Sequence, residues 1–300
     1  MHMKTILFTA FVGTSVLLSA CGGPAANTSN NGSAANTAAA KAPASPEAKP
    51  AVTLKPGEVP FDGMSNVGTT AKAGEHILCL DARAAQEIAS KPIADASGIF
   101  YNRKMSAPGE FESEIDDFGK KVMVPNAYII ALPKGQKAKV GDIVLTWWQS
   151  GGGMFRAIVT EAANPAEPTV RYLGMSPRED KSDKLKPDTF VVLKDAWQPG
   201  SMVAAKTADG KTEAAMIIRV NGDKVLIRGF AGKMKVVPKA DLTPVPSNPN
   251  VKAGDKVKAA FFANFDDGVV VSVDAAAGKI TVKKEPGTDQ KALDFGEVQK

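Results

Sequence analysis

One short motif recurs three times along this 300-residue chain and constrains its fold more than any other feature. Each copy is a Gly, two variable residues and a Val, and a second aliphatic residue follows that Val after 14 positions. The copies are Gly141-Asp142-Ile143-Val144, Gly200-Ser201-Met202-Val203 and Gly254-Asp255-Lys256-Val257, with the later aliphatic residues at Ile158, Ile217 and Val271. Successive copies begin roughly 55 to 60 residues apart, a period that indicates repeated units of one supersecondary structure.

Each unit has the pattern of short strands joined by tight turns. The β-branched runs Met216-Ile217-Ile218 and Val269-Val270-Val271 are followed by Asn221-Gly222-Asp223 and Ala277-Gly278-Lys279. Gly flanked by Asn, Asp or Lys is typical of hairpin turns. Short strands at this spacing favour small antiparallel barrels, so we expect a mostly β protein built from tandem small barrels.

A fourth unit is expected to precede the three clear copies. Lys72-Ala73-Gly74 matches Lys252-Ala253-Gly254, and Val124-Pro125-Asn126 matches Val237-Pro238-Lys239. The middle of this region differs, because the Ala-rich stretch from Asp81 to Ser90 predicts a short helix with Asp81 as its N-cap. We therefore expect a divergent β-rich module at 57–138. The three barrels are expected at 139–196, 197–247 and 248–300.

The second unit resembles a known family. The stretch from Val140 to Ile158 is similar to the opening hairpin of a Tudor domain, a small Src-homology-3-like barrel, in which a Gly-Asp precedes an aromatic, a Gly turn, a second aromatic and a small residue. These positions are held by Trp148, Gly152, Phe155 and Ala157. Tyr172-Leu173-Gly174-Met175 resembles the next strand end, where caged members carry two further aromatics, and Met175 departs from that pattern. The resemblance implies five short, bent strands with aromatic side chains at one rim.

This rim is the candidate ligand site. Trp148, Phe155, Tyr172 and Met175 would line a pocket for a cationic or choline-like group, which aromatic faces attract by cation–π interaction. The alternative is that the rings pack in the core or between modules. The two later copies of the motif lack the pair Trp148 and Phe155. The copy that begins at Gly200 has Thr207 and Ala214 at these positions, and the copy that begins at Gly254 has Phe261 and Gly268.

The N-terminus has the pattern of an exported, lipid-anchored protein. Lys4 precedes an apolar stretch from Ile6 to Leu18, which is too short for a membrane-spanning helix of about 20 residues. Leu18-Ser19-Ala20-Cys21 resembles the lipobox of bacterial lipoproteins, which implies a signal peptide at 1–20 and acyl chains on Cys21. The alternatives are an ordinary signal peptide with a chance Cys, or an uncleaved anchor.

The segment 21–56 is expected to be a disordered tether. It is rich in Ala, Asn, Ser, Pro and Gly, and has no large apolar residue until Val52, so it cannot bury enough surface to offset its ordering entropy. Gly22 stands where inner-membrane lipoproteins of enterobacteria carry Asp. By that analogy we expect the outer membrane of a bacterial cell envelope rather than the inner one.

Catalytic and metal sites are not indicated by the sequence. Beyond the signal peptide the only histidine is His76, so a Ser-His-Asp triad would have to use it. Gly151-Gly152-Gly153 lacks the Lys and Ser/Thr of a phosphate loop and is typical of a hairpin turn. The net charge of +5 is interspersed without a basic run, which does not favour a nucleic-acid partner. We expect no enzyme activity, cofactor or metal.

Several residues have competing interpretations. Cys79 lies in the apolar run Ile77-Leu78-Cys79-Leu80, which favours a buried strand thiol over an intermolecular disulfide. His76 is expected at a solvent edge, although with Cys79 it could supply two metal ligands. The acidic run from Glu110 to Asp117 predicts a solvated face. The charged stretch 176–188 predicts an exposed loop.

Two functions follow from these features. The first is a non-catalytic envelope lipoprotein, anchored to the membrane through lipid on Cys21, whose tandem barrels bind peptidoglycan, polysaccharide or a protein. Linked weak modules gain avidity through effective concentration. The alternative is a structural or assembly subunit of an envelope complex, in which the aromatic rings fill interfaces rather than hold a ligand.

Overall fold

The computed structural model describes residues 54–174 and 181–300, which form a mostly β body with four five-stranded antiparallel sheets. The first two sheets contain β1 His76–Leu80, β2 Phe100–Ala107, β3 Glu112–Asp117, β4 Lys120–Pro125 and β5 Ile129–Ala131, then β6 Ile143–Trp147, β7 Met154–Glu161, β8 Thr169–Leu173, β9 Ser182–Lys184 and β10 Val191–Val192. The last two contain β11 Met202–Lys206, β12 Thr212–Asn221, β13 Lys224–Arg228, β14 Met234–Pro238 and β15 Leu242–Val245, then β16 Lys256–Ala260, β17 Phe265–Asp274, β18 Lys279–Lys284, β19 Gln290–Asp294 and β20 Val298–Gln299.

All four sheets have the same strand order. In each, the first four strands form an antiparallel meander, and the fifth returns to pair with the first, giving the order fourth, third, second, first, fifth. In the described residues the fourth and fifth strands do not pair with each other, so none of these sheets closes into a complete barrel. The internal repeat expected from the sequence is confirmed at this level.

A shared backbone motif shows that the first sheet is built like the other three. A Gly with positive φ precedes the first strand, and its amide donates a hydrogen bond of 2.8 or 2.9 Å to a carbonyl of the second strand. The pairs are Gly74 with Met105, Gly141 with Val159, Gly200 with Ile217 and Gly254 with Val270. The register of the second strand against the third shifts directly after each acceptor, which marks a β-bulge that bends the strand. A side chain at these Gly positions would be strained because φ lies between 77° and 94°.

The departures from the repeat are local. The helix α1, Ala82–Ser90, lies between β1 and β2, and the carboxylate of Asp81 caps it by accepting from the amides of Arg83 and Ala84, as predicted. One-turn 3-10 helices connect the fourth and fifth strands at Asn126–Tyr128 and Lys239–Asp241, where the sequence matched. The prediction of a loop over 176–188 is wrong at Ser182–Lys184, which form β9 against β8. Leu185 anchors this segment by burial in the core of the second sheet.

The four sheets pack against one another, because each contributes residues to one shared apolar cluster. On β6 all five residues are buried, so both faces of the strand are covered. Val144 packs into the core of its own sheet, whereas Leu145 faces a cluster that contains residues of all four sheets. The apolar run Ile143-Val144-Leu145 in this strand is typical of such two-sided burial. Arg219 of β12 also joins sheets, by donating to the carbonyl oxygens of Asn126 and Ile129.

Some predictions fall outside the described residues. These are the signal peptide at 1–20, the lipidation of Cys21, the tether up to residue 53, and Met175. Within the part that is described, no helix has the length and apolar character needed to cross a membrane.

Candidate functional site

Phe155 and Tyr172, two of the predicted rim residues, lie together at the core of the second sheet. Their ring centroids are 5.9 Å apart in an edge-to-face arrangement, and Tyr172 is only 1% exposed. The Tyr172 hydroxyl lies 3.1 Å from the carbonyl oxygen of Trp147 and 2.9 Å from Oδ2 of Asp183, and it accepts from the amide of Gln149 at 3.1 Å. This ring is therefore surrounded by its own chain.

Trp148 lies between these rings and a glycine-rich turn. A Cβ added at Gly151 would be 2.0 Å from Cε3 of Trp148, so the indole packs directly on the turn backbone. The ammonium of Lys181 lies 4.2 Å from the Trp148 ring centroid, which is a cation–π contact made within the chain. The neighbouring Trp147 belongs to the shared core and lies 5.3 Å from the ring of His76. The two tryptophans thus serve different clusters.

The glycine-rich turn closes one side of a cleft between the first and second sheets. The carbonyl of Gly152 accepts from the amide of Asn102 at 3.2 Å, and Gly153 forms a β-bridge with Tyr101, so the turn is fixed to β2. The cleft has a volume of about 620 Å³. Its walls are α1, β2, the β3–β4 hairpin tip and residues 149–152. We call it the Arg103 cleft, after the buried cation in its lining.

Arg103 is held in one position. Its Nε donates to Oδ1 of Asp117 at 2.6 Å, and its Nη1 donates to the carbonyl of Asn102 at 2.8 Å. Its Nη2 lies 3.9 Å from Oδ2 of Asp81, the helix cap. The guanidinium carbon lies 4.3 Å from the ring centroid of Phe118 and 5.5 Å from that of Tyr101. A buried, fully paired cation of this kind fixes the two rings around it.

Phe118 is an exposed aromatic side chain of the cleft. It is 88% exposed and has a φ of +54°, which is uncommon for a bulky residue and is found where surrounding structure enforces it. The carboxylate of Asp116 holds this hairpin tip by accepting from the amide of Gly119 at 2.6 Å. Arg83, Glu87, Asn102 and Gln149 line the same cleft.

Sequence reasoning did not find this cleft. Its aromatic and charged residues lie on β2, on a hairpin tip and on α1, and these segments meet only in the folded chain. A local signal was present in Phe118-Gly119, an aromatic placed at a turn after the acidic run. That run is mostly engaged, because Asp117 pairs with Arg103 and Glu114 lies 3.5 Å from Lys121.

The surroundings of Cys79 and His76 indicate structural roles for both residues. Cys79 is buried and has no disulfide partner in the described residues, as the strand-thiol interpretation predicted, and burial raises its pKa to about 12. His76 is half-buried, and burial lowers its pKa. Three positions separate them on one strand, so they lie on opposite faces. Among the residues the structure describes, no group of three or more His, Cys, Asp or Glu side chains could hold a metal.

The chain was compared with protein-family models and with curated proteins. No protein-family model matches the chain, and no curated protein matches it in sequence.

Proposed function

We propose that this chain is a membrane-anchored, non-catalytic envelope lipoprotein that binds a glycan polymer, peptidoglycan or polysaccharide, at the Arg103 cleft. The observation that carries this proposal is the exposed ring of Phe118, which lies with the ring of Tyr101 against a buried cation in a cleft that charged and amide residues also line. A sugar ring has an apolar face and a rim of hydroxyl groups. Aromatic faces with a few placed polar groups suit such a ligand.

We further propose that each of the four modules is a Src-homology-3-like barrel, with the second of the Tudor-like type. Support comes from the meander with a returning fifth strand and from the bulged second strand. The one-turn 3-10 helices before the fifth strand of two modules add to it. Packing of Phe155 and Tyr172 inside the second module favours rings that fill a core over rings that cage a cation.

Binding to a polymer is tested by co-sedimentation. The full chain carrying Cys21→Ser, mixed with purified peptidoglycan sacculi or insoluble polysaccharide, is expected to pellet with one of them. Phe118→Ala should raise the apparent dissociation constant, measured over a series of polymer concentrations, at least about fivefold, because stacking on an aromatic anchor contributes on the order of 1 kcal/mol or more. Its 88% exposure means that the unfolding midpoint should hardly change.

The matched control is Phe262→Ala. Phe262 is also an exposed phenylalanine, at 76%, but it belongs to the fourth module and does not line the cleft. It should leave polymer binding unchanged. Equal binding by the wild type and Phe118→Ala, or no sedimentation with either polymer, would contradict the proposal.

The lipid anchor has a separate test. Support for it is the sequence Leu18-Ser19-Ala20-Cys21 after a short apolar stretch. Labelled palmitate fed to expressing cells should appear in the wild type and be lost in Cys21→Ser. Equal labelling of the two proteins would remove the anchor from the proposal and leave the glycan site to its own test.

A specific observation also favours the assembly alternative. The rings of Phe230 and Phe262 lie 4.8 Å apart and are 53% and 76% exposed, beside an apolar groove of about 550 Å³ that includes Ile93. Paired exposed aromatics mark protein interfaces. A stoichiometric crosslinked partner that is lost in Phe262→Ala and retained in Phe118→Ala would support this second function.

A further inference from the structure

The charges of the Arg103 cleft indicate which kind of glycan it can bind. Two carboxylates and two guanidinium groups belong to its lining residues, which are Asp81, Glu87, Arg83 and Arg103. Two more charged side chains pair directly with this set, Asp117 with Arg103 and Lys91 with Glu87. Positive and negative charges are therefore balanced, three against three, and the cleft has no net charge that would attract a charged sugar.

Arg103 does not offer a free cation to an acidic ligand. Its side chain is only 7% exposed, its Nε donates to Oδ1 of Asp117 at 2.6 Å, and its Nη2 lies 3.9 Å from Oδ2 of Asp81. A third carboxylate near this cation would be repelled by the two that are already there. Arg103 therefore packs against the rings of Tyr101 and Phe118 without attracting an acidic sugar.

Arg83 is the exposed cation of the lining, and it also has a partner. Its Nε lies 3.2 Å from Oε1 of Glu87, one turn further along α1. The other carboxylate oxygen, Oε2, lies 3.2 Å from Nζ of Lys91. The hydrogen bond with Lys91 and the charge of Arg83 lower the pKa of Glu87, so this carboxylate is ionised at neutral pH. An acidic ligand that approaches Arg83 therefore also meets the negative charge of Glu87.

The other lining groups suit an uncharged ligand. The ring of Phe118 is 88% exposed, and an aromatic ring can pack against the apolar face of a sugar. Asn102, Gln149 and Ser150 line the cleft as well, and their amide and hydroxyl groups donate and accept hydrogen bonds without carrying a charge. Such groups match the hydroxyl and acetamido groups of neutral sugars.

We propose that the Arg103 cleft binds uncharged sugar residues, hexose or N-acetylhexosamine units, and disfavours glycans that carry carboxylate or phosphate groups. This inference rests on the glycan site of the proposed function and narrows its ligand class. Glu87 sets the charge preference, because its carboxylate is 48% exposed and its removal would leave Arg83 unpaired in the lining.

The test compares polymers that share a backbone and differ in charge. Cellulose with carboxylated cellulose, and chitin with carboxymethyl chitin, are titrated against the full chain carrying Cys21→Ser by co-sedimentation. The net charge of +5 attracts any polyanion, so the readout is the binding that Phe118→Ala removes. This Phe118-dependent binding should be at least about threefold weaker for the carboxylated member of a pair, as expected for one like charge about 6 Å away in water.

Two variants assign the preference to one side chain. Glu87→Gln removes one negative charge from the lining, so Phe118-dependent affinity for the carboxylated polymer should rise at least about threefold while affinity for its uncharged partner stays the same. Glu167→Gln is the matched control. Glu167 also pairs with a lysine, Lys184, at 2.9 Å, but it does not line the cleft, so its substitution should leave the preference unchanged.

The outcomes separate this inference from the glycan proposal. Phe118-dependent binding that is equal for both members of a pair, or that keeps its preference in Glu87→Gln, would overturn the charge selectivity and leave the glycan site in place. A loss of preference in both Glu87→Gln and Glu167→Gln would show an effect of overall charge and would also overturn it. Absence of binding to every polymer would overturn the glycan site and this inference together.

Discussion

Two buried tyrosines should respond oppositely to the same substitution. Tyr172 and Tyr128 are each 1% exposed, and Tyr→Phe removes only a hydroxyl in both cases. The Tyr172 hydroxyl bonds within its own module, to the Trp147 carbonyl or the Asp183 carboxylate and from the Gln149 amide. The Tyr128 hydroxyl is buried without a hydrogen-bond partner among the described residues. Its ring packs edge to face on Phe61 at 6.1 Å and keeps that contact after substitution.

The expected change in the free energy of unfolding differs between the two variants, because the two hydroxyl groups have different hydrogen-bond partners. Tyr172→Phe removes the buried hydrogen bond to the Trp147 carbonyl and leaves the half-buried Gln149 amide without its acceptor, a loss that costs about 1–3 kcal/mol. Tyr128→Phe removes a hydroxyl whose desolvation no hydrogen bond offsets, so it should leave the free energy of unfolding unchanged or raise it by up to about 2 kcal/mol. In a body of this size 1 kcal/mol shifts the melting temperature by about 2–4 °C.

The assay is denaturant unfolding of the wild type and both variants, with the slope on denaturant concentration checked to be equal. We expect the midpoints in the order Tyr172→Phe, wild type, Tyr128→Phe. If Tyr172→Phe were as stable as the wild type, the claim that this ring is locked within its own module would be refuted, and an open aromatic rim would regain support. A loss of stability in Tyr128→Phe would show that its hydroxyl has a partner.

Three further outcomes are expected. Gly151→Ala should destabilise the chain by about 1–3 kcal/mol in thermal melts, because its methyl group would displace the Trp148 ring. Gly68→Ala is the control and should be nearly neutral, because the added methyl group would make only an ordinary contact at 3.9 Å. Equal effects of the two substitutions would contradict the packing of Trp148 on the turn. Burial raises the pKa of both Tyr128 and Tyr172, so the unfolded chain loses its phenol protons at a lower pH than the folded chain. The free energy of unfolding should therefore fall as pH rises above about 10. In the double variant Tyr128→Phe, Tyr172→Phe the free energy of unfolding should fall less steeply between about pH 9 and 11.5. Cys79, whose pKa is raised to about 12 by burial, should resist a thiol reagent at pH 8 in native Cys21→Ser protein and react once it is unfolded; rapid native reaction would show an accessible thiol.

The repeat could be predicted because its signals are local. A Gly with positive φ, an aliphatic first strand and a hairpin turn each act within a few residues, and their spacing is visible without any tertiary information. The same holds for α1, where the carboxylate of Asp81 caps amides only two and three residues away. The first module was harder to recognise, since α1 interrupts the spacing between its first and second strands.

The candidate sites could not be predicted because they are made between modules. The Arg103 cleft combines a helix, a hairpin tip and the glycine-rich turn of the next sheet, and the groove beside Phe230 combines residues of three modules. Periodicity assigns a residue to a face of its own strand but does not say which other module covers that face. The burial of Leu145 on the side away from its own core illustrates this.

The shared core also changes how binding strength can arise in this protein. Tandem modules gain avidity when flexible linkers let each one find its own contact, and the gain depends on their effective concentration. Here β6 is buried on both faces and Arg219 ties the third sheet to the first, so the modules hold fixed positions. Under the glycan proposal, affinity for the polymer would come from one preorganised surface, in which no linker entropy is lost on binding. The same proposal would leave the freedom to reach that polymer to the segment between Cys21 and the folded body, which the sequence predicts to be disordered.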